Sequence, residues 1–280
     1  CNNNCFINTN IKEIINLLKA NRLTEAIELH YQVNSIGFIC GKLCDHMRGC
    51  LGGCNNKKHP VETNEICYSL GAARLDLPIF KMKPRNKHVV IIGGGVSGMV
   101  CAERLLEAGF EVTLYEKSNA LGGVLNLTMP EFRYSMDVFK KWEKRLMELG
   151  LNLYLEKEVK NVKDIEKFDY LVVATGAGIS KRLYDNSKTF DALEILELAK
   201  QNKLNISGLD VVVLGGGNTA YDVARVINRL GNKVSIAYRR DIKNSPAAIT
   251  EVNLAVKEGV NILECLAPKE INVVGNKKKI

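Results

Sequence analysis

The 280-residue chain lacks any hydrophobic run that approaches the ~20 residues of a membrane-spanning helix. Its amino-terminal stretch is rich in asparagine and cysteine and has no apolar core, which argues against a secretory signal peptide. Aromatic residues make up only 6% of the chain, too few for a basic face interleaved with aromatics that would bind nucleic acid. We therefore expect a cytoplasmic protein without membrane or nucleic-acid partners, whose net charge of +8 attracts anionic cofactors.

Cysteine, by contrast, is abundant, with nine residues in the chain. Cys101 and Cys265 lie in apolar patterns and are predicted to be core residues. The other seven lie within the first 67 residues. Without a secretion signal, such a cluster indicates metal or redox chemistry rather than structural disulfides. The seven are Cys1, Cys5, Cys40, Cys44, Cys50, Cys54 and Cys67.

The amino-terminal region is predicted to be helical. Apolar residues between Ile11 and Leu18 recur on one helix face, and Asn10 and Glu13 are placed to cap that helix. A second short helix is expected to have Thr24 as its cap. Residues 36–60 are rich in glycine and cysteine, so we expect something other than a hydrophobic core to order them.

Strands and helices alternate after a polar linker at residues 81–87. This alternation predicts parallel α/β sheets, and a β-meander is expected at the end of the chain. The predicted strands cover residues 88–92, 112–115, 169–174, 211–214 and 234–237, and the meander covers 271–280.

Two glycine-rich segments, 122 residues apart, are copies of one design. Each follows a strand, opens a helix and precedes a second strand, which is the context that makes such a motif indicate dinucleotide binding. The glycines let the backbone approach a pyrophosphate, and the helix N-terminus offers amides. Glycine-rich turns that bind nothing are the alternative. The predicted contacts are Gly93, Gly95, Val96, Ser97 and Gly98 in the first copy and Gly215, Gly217, Asn218, Thr219 and Ala220 in the second.

The copies differ where the second strand ends. The first copy has Glu116, whose carboxylate can accept hydrogen bonds from ribose hydroxyls and would repel a 2′-phosphate, so this site suits FAD or NAD. The second copy has Tyr238 at the same offset, followed by Arg239 and Arg240. Because guanidinium groups pair with phosphate, we predict NADPH there. Two solvated arginines are the alternative.

Two dinucleotide sites in series are typical of flavin oxidoreductases, in which one cofactor reduces the other. The remaining motifs extend this pattern. They are Leu121-Gly122-Gly123, Met129-Pro130-Glu131-Phe132-Arg133, Ala174-Thr175-Gly176-Ala177 and Ser245-Pro246-Ala247. With them, the chain resembles the small (β) subunit of NADPH-dependent glutamate synthase. The same module resembles the amino-terminal part of dihydropyrimidine dehydrogenase and the large subunit of NADH-dependent ferredoxin:NADP oxidoreductase.

The resemblance implies further FAD contacts. Glu116 would hold the ribose, and Gly122, Gly123 and Leu125 would line the diphosphate region. Contacts with FAD are also implied for Arg133, Thr175 and Gly176. From the residues alone, the glycine pair could be a simple turn and Arg133 a surface residue.

The resemblance also implies a helical domain with two [4Fe-4S] clusters and a cysteine pattern of C-x2-C, C-x3-C and C-x5-C-x3-C. The leading C-x2-C is missing here, so the first cluster would keep only Cys1 and Cys54. The second would use Cys5, Cys44 and Cys50 with a residue of the following helix. The family usually has proline where this chain has Phe6 and Asp45, which puts the stability or potential of the clusters in doubt.

We predict that Cys67 is the fourth ligand of the second cluster, because it lies where relatives place a Glu or Gln that ligates iron in part of the family. Cys40 is the competitor for this place, and Cys67 could instead be a buried helix cysteine. A zinc site or inert buried thiols are further alternatives, although zinc knuckles favour C-x2-C pairs that this chain lacks.

The predicted domains are 1–85 (helical iron–sulfur), 86–190 (first half of the FAD domain) and 191–280 (NADPH). The expected fold class is α/β, with two Rossmann-like domains preceded by the helical domain. The chain begins with Cys1 and stops after a turn-like Gly275-Asn276, so we expect a fragment cut at both ends. Such a fragment would hold FAD weakly, carry at most one cluster and be a poor enzyme.

The predicted function is electron input: NADPH gives hydride to FAD, and [4Fe-4S] clusters carry electrons to a partner. No catalytic side chain is required. The resemblance implies a large FMN-containing subunit that makes glutamate from glutamine and 2-oxoglutarate. Pyrimidine reduction, ferredoxin coupling, and a non-enzymatic redox sensor or scaffold are the alternatives. A dithiol reductase of the thioredoxin reductase type needs a redox-active C-x2-C pair in the nicotinamide domain. Only one cysteine, Cys265, follows Gly215, so we reject this function.

Overall fold

The computed structural model describes residues 2–165, 167–177, 189–274 and 277–279. Its contacts form two compact units, Cys1–Asn126 with Glu131–Gly176, and Leu127–Pro130 with Ala177–Ile280. Among the described helices, none is both long and apolar enough to cross a membrane. Within each unit an α/β sheet is present, which confirms the predicted fold class.

The first unit begins with four helices after a short 3-10 turn at Asn2–Asn4. They are α1 (Ile11–Lys19), α2 (Leu23–Val33), α3 (Gly37–Leu43) and α4 (Thr63–Arg74). The Asn10 side chain accepts a hydrogen bond from the Glu13 amide at 3.4 Å, as predicted for the cap of α1. The prediction for Thr24 is wrong: Arg22 occupies the N-cap position of α2 without a side-chain capping bond and pairs with Glu25, and Thr24 lies inside the helix.

Glycines allow the backbones of helices α3 and α4 to pack in direct contact. A Cβ at Gly41 would lie 2.5 Å from the carbonyl oxygen of Asn64, and one at Gly71 would lie 2.4 Å from the amide nitrogen of Phe38. Only glycine permits so close an approach. Phe38 is fully buried, so part of the 36–60 region has a hydrophobic core, contrary to the expectation from its composition.

A four-stranded parallel sheet follows, in the order β3-β2-β1-β4. A 3-10 turn at Val162–Asp164 precedes the last strand. The elements in chain order are β1 (His88–Ile92), α5 (Val96–Glu107), β2 (Glu111–Tyr115), α6 (Val124–Thr128), α7 (Asp137–Glu148), β3 (Asn152–Tyr154) and β4 (Tyr170–Val173).

The second unit contains a three-stranded parallel sheet in the order β5-β6-β7 and an antiparallel pair, β8 and β9. The pair lies where the meander was predicted, and the expected turn at Gly275-Asn276 falls outside the described residues. The elements are α8 (Ala192–Lys200), β5 (Asp210–Leu214), α9 (Asn218–Arg229), β6 (Lys233–Tyr238), a 3-10 turn (Ile242–Asn244), α10 (Ile249–Lys257), β7 (Asn261–Glu264), β8 (Asn272–Val274) and β9 (Lys277–Lys279).

The register of the two sheets confirms the internal repeat. His88 pairs with Glu111 in the first sheet, and the residues 122 positions later, Asp210 and Lys233, pair in the second. The Gly93 amide donates to the Tyr115 carbonyl at 2.8 Å, and the equivalent Gly215 amide donates to the Ala237 carbonyl at 3.0 Å. Gly93 and Gly215 have φ angles of 107° and 123°, so both loops turn in a conformation that favours glycine.

One core prediction is wrong. Cys265 is exposed, and Cys101 is only half-buried. The apolar pattern around Cys265 continues past Glu264, where β7 ends, and the chain then turns outward with a φ of 55° at Cys265. The apolar pattern in the sequence is therefore longer than the strand itself, which is why it wrongly predicted a buried Cys265.

Candidate functional site

The carboxylate of Glu116 accepts hydrogen bonds that hold the first glycine-rich loop in place. Its Oε2 accepts a hydrogen bond from the Gly94 amide at 2.6 Å, and its Oε1 accepts one from the Ser118 amide at 2.8 Å. The side chain is buried. Each carboxylate oxygen has two lone pairs, so these bonds leave acceptor capacity for ribose hydroxyls.

Three chain segments meet where the carboxyl ends of β1, β2 and β4 lie. Gly95 pairs with Gly122, and a Cβ at Gly123 would lie 3.1 Å from the Gly95 Cα. On the other side, a Cβ at Gly93 would lie 2.3 Å from the carbonyl oxygen of Ala174. The residues predicted to contact FAD in 121–123 and at Thr175 and Gly176 therefore lie beside the first glycine-rich loop.

This arrangement fits a dinucleotide. A Cβ at Gly95 or Gly176 would meet no atom within 4 Å, so both backbones face open space. The N-terminus of α5 begins at the adjacent Val96. Open backbone beside a helix N-terminus is the geometry that receives a pyrophosphate.

The other residues predicted at this site differ in exposure. Ser97 is exposed in the first turn of α5, Gly98 and Leu125 are buried, and Arg133 is half-buried. A Cβ at Gly98 would lie 2.0 Å from the Gly93 carbonyl oxygen, so its role is close packing of helix on loop.

The second glycine-rich loop is also open. A Cβ at Gly215 or Gly217 would meet no atom within 4 Å. Among the other predicted contacts, Asn218 is half-buried, Thr219 is exposed and Ala220 is buried. This loop therefore offers the same cradle as the first.

Tyr238 takes the position that Glu116 has in the first copy. A Cβ at Gly216 would lie 2.5 Å from Cδ2 of the Tyr238 ring, so the ring packs against this loop residue. Its hydroxyl donates to the Asn244 carbonyl at 2.9 Å. An aromatic ring thus replaces the carboxylate that bonds the equivalent Gly94.

Two contacts that the sequence reasoning missed brace this loop. Ser245 Oγ donates to the Gly216 carbonyl at 2.6 Å, and the Ala248 amide donates to Asn218 Oδ1 at 2.9 Å. The Ser245-Pro246-Ala247 motif could have indicated that this segment contacts the loop, but no role was predicted for it.

Arg239 and Arg240 follow Tyr238 at the end of β6. Both are exposed, and within the described part of the chain neither makes an ion pair. Their guanidinium groups remain available to an anion beside the second loop.

Five cysteines line one cavity in the first unit, together with His46. Cys5 and Cys50 come from the loops, and Cys67 comes from α4. Cys40 lies in the middle of α3, and Cys44 is the residue that caps its carboxyl end. Also lining the cavity are Phe6, Thr9, Thr63 and Asn64. The α3–α4 glycine packing explains why thiols 23 or more residues apart in sequence converge.

Burial and neighbouring thiols set the protonation of this group. Burial raises the pKa of Cys67 to about 12 and also raises that of Cys50. The interaction between the neighbouring Cys40 and Cys44 thiols lowers the pKa of Cys40 and raises that of Cys44. Without a positive centre, the thiols of Cys44, Cys50 and Cys67 therefore favour their neutral form.

His46 is a cavity residue that the sequence reasoning missed. Its Nε2 lies 3.2 Å from the Gly41 carbonyl oxygen, so Nε2 carries the proton, and its Nδ1 faces the Cys50 sulfur at 3.9 Å. Its place in the sequence between the predicted ligands Cys44 and Cys50 could have indicated that it lines the cavity.

Cys54 lies apart from this cavity. It is buried, and the Val61 and Asn56 amides donate to its sulfur, which lowers its pKa. Cys1, its predicted partner in the first cluster, lies outside the described residues.

Over the residues that the structure describes, no three Cys, His, Asp or Glu side chains form a site for a single metal ion. An iron–sulfur cluster holds its thiolates farther apart than one ion does, and a lining of five thiols supplies the donors that it requires. The residues present therefore fit a cluster, while the individual ligand assignments remain predictions.

Two open dinucleotide cradles and a thiol-lined cavity define an oxidoreductase with FAD/NAD(P) and iron–sulfur domains. A family profile described as pyridine nucleotide-disulphide oxidoreductase matches residues 53–167 and 87–278, and the chain belongs to this family. A second profile, described as dihydropyrimidine dehydrogenase domain II, 4Fe-4S cluster, matches residues 1–70. Together they imply FAD, NAD(P)H and a 4Fe-4S cluster.

Known relatives confirm the resemblance to glutamate synthase small subunits. The glutamate synthase [NADPH] small chain of Escherichia coli (strain K12) is 30% identical over 99% of this chain and 64% of its own length. That of Azospirillum brasilense is 29% identical over 96% of this chain and 62% of its own. The chain therefore spans less than two thirds of either relative.

A solved structure supports the fold. Thioredoxin reductase from Lactococcus lactis superposes with a TM-score of 0.53 and 23% identity, over 69% of each chain.

Proposed function

We propose that this chain is the electron-input part of an NADPH-dependent flavoprotein. The observation that carries the proposal is the pair of glycine-rich loops with the same strand register but different ends, Glu116 in one and Tyr238-Arg239-Arg240 in the other. One loop suits an unphosphorylated ribose and the other a 2′-phosphate, so the two sites take different dinucleotides.

In the first site, the open Gly95 and the N-terminus of α5 bind the FAD diphosphate, while buried Glu116 orients the loop and accepts from the ribose. In the second site, Gly215 and Gly217 leave room for the NADPH diphosphate. Neither site needs a proton donor or acceptor, because hydride transfer between the two dinucleotides and single-electron transfer to a cluster are the chemistry of the cofactors.

For the second cluster we propose Cys5, Cys44, Cys50 and Cys67 as ligands, with Cys40 as a fifth thiol that is not required. All five line the same cavity, and Cys67 projects from the helix that packs against α3. Cys50 and Cys67 are buried and the other three are half-buried, so the protein restricts the access of water to a cluster held there. Cys54 would serve a different cluster, because it lies outside this cavity.

We further propose that the electrons are used to make glutamate from glutamine and 2-oxoglutarate on a large FMN-containing partner subunit. The support is identity of about 30% with glutamate synthase small chains over nearly the whole chain. Pyrimidine reduction is the second candidate, supported by the name of the profile that matches residues 1–70 and by 26% identity to a dihydropyrimidine dehydrogenase subunit of Escherichia coli.

Reconstitution with candidate partners tests this proposal. The holoprotein, mixed with a glutamate synthase large subunit, should form glutamate from glutamine and 2-oxoglutarate when NADPH is added. A dihydropyrimidine dehydrogenase catalytic subunit with uracil serves as the parallel arm. NADPH-dependent uracil reduction without glutamate formation would replace the first candidate by the second, and no turnover with either would refute both.

A further inference from the structure

Polar side chains from three helices meet in one buried cluster of the first unit. Arg74 Nη1 on α4 donates to Glu103 Oε1 on α5 at 2.8 Å, and Arg74 Nη2 donates to Glu107. Trp142 on α7 donates from Nε1 to Glu103 Oε2 at 2.9 Å. Glu103 is 1% exposed. A carboxylate so far from water requires partners of this kind, which ties the three helices together.

Tyr31 adds helix α2 to the cluster. Its hydroxyl donates to Glu107 at 2.8 Å, and the guanidinium groups of Arg74 and Arg104 lie 3.5 and 3.6 Å from its ring centroid. Arg104 also donates to the Tyr31 carbonyl and to Ser35. The predicted iron–sulfur helices are thus bonded to α5, the helix that begins at the FAD loop.

A line of aromatic contacts runs beside this cluster. Phe38 on α3 meets Trp142 edge to face with ring centroids 5.4 Å apart, and Trp142 meets Phe139 at 5.7 Å. A Cβ at Gly122 would lie 2.6 Å from Phe139 Cζ. All three rings are fully buried. Packed contacts therefore connect the helix that carries Cys40 to the loop that pairs with Gly95.

We infer that Trp142, held by Glu103, is a positioning residue that couples FAD binding to the order of the cysteine-bearing helix α3. The inference rests on the proposed FAD site. Close-packed interiors transmit displacement instead of absorbing it, so α3 and the Gly122 loop unfold together while this contact is intact. A ligand that binds only the folded state stabilises every segment that must unfold with its site.

Hydrogen exchange of α3 and α5, with and without FAD, tests the coupling. At a free FAD concentration about 100 times its dissociation constant, amides that exchange through the shared unfolding should slow about 100-fold. In the wild-type protein we expect added FAD to cause this slowing in both helices. In the double variant Phe38→Leu/Glu103→Gln, which loosens the contact without removing a cofactor residue, α5 should keep the slowing and α3 should lose most of it.

Phe110→Leu is the matched control, because Phe110 belongs to a different aromatic pair of the same unit, with Tyr170. It should leave both responses at the wild-type level. Slowing of α5 but not α3 in the wild type, or full slowing of α3 in the double variant, would overturn the coupling. If FAD slows neither wild-type helix, the proposed FAD site itself is wrong. If circular dichroism shows that the double variant is unfolded, the single variant Glu103→Gln replaces it, and the FAD-dependent slowing of exchange in α3 and α5 is compared in the same way.

Discussion

The preference for NADPH is expected to depend on Arg239 and Arg240. Both side chains are exposed at the end of β6, beside the open Gly215–Gly217 loop and without an ion pair among the described residues. The perturbation is the double variant Arg239→Ser/Arg240→Ser. It removes two cations and leaves the loop and its bracing contacts unchanged.

A charge-assisted hydrogen bond contributes roughly 1.5–3 kcal/mol. Because both arginines are exposed, solvent and salt screen the contacts, so we take about 2–3 kcal/mol for the pair rather than the sum. That corresponds to a loss of roughly 30- to 160-fold in kcat/KM for NADPH. NADH lacks the 2′-phosphate, so its kcat/KM should change little.

The assay is steady-state reduction of an artificial dye with each nucleotide at two salt concentrations. Higher salt should lower the wild-type preference for NADPH and should have little effect on the variant. Lys233→Ser is the matched control, because Lys233 is an 86% exposed cation at the opposite end of the same strand. An unchanged NADPH-to-NADH ratio in the double variant, or an equal change in the control, would refute this explanation.

Three further predictions concern the other sites. Gly95→Val should abolish FAD binding with little change in the thermal stability of the FAD-free protein, because the added Cβ meets no heavy atom within 4 Å and the side chain extends into the cradle. Flavin content and calorimetry of the FAD-free protein measure the two effects, and retained FAD would contradict the prediction. Cys67→Ser should remove one cluster signal in electron paramagnetic resonance and iron analysis, whereas Cys40→Ser should not; loss in the Cys40 variant alone would reverse the assignment. Arg229 and Arg225 lower the pKa of Glu258 to about 2 from 4.5, so its stabilising effect is present above pH 4.5 and is lost as pH falls towards 2. Glu258→Gln should flatten acid unfolding in that window, and an unchanged acid profile would exclude this ion cluster as a cause.

Local patterns predicted the nucleotide-binding framework well. The strand 88–92 has the predicted bounds, and the 122-residue repeat reappears in the pairing of His88 with Glu111 and of Asp210 with Lys233. These features depend on short-range periodicity and on glycine positions, which are visible in one sequence.

The buried cluster around Glu103 could not be predicted in the same way. Arg74, Glu103 and Trp142 lie on three different helices, and charged residues in a helix are normally expected on its solvent face. One signal was present: Glu103 lies between Met99 and Leu106 on the apolar face of α5. Its partners depend on tertiary packing, as does the convergence of the five cavity cysteines.

Anaerobic addition of NADPH to the holoprotein tests the central claim most directly. Flavin absorbance and the electron paramagnetic resonance of the reduced cluster should be followed in one experiment, with NADH as the comparison. We predict that NADPH bleaches the flavin and that the cluster signal then appears, with much slower bleaching by NADH. Bleaching without a cluster signal, or equal rates with NADPH and NADH, would contradict the proposed electron input.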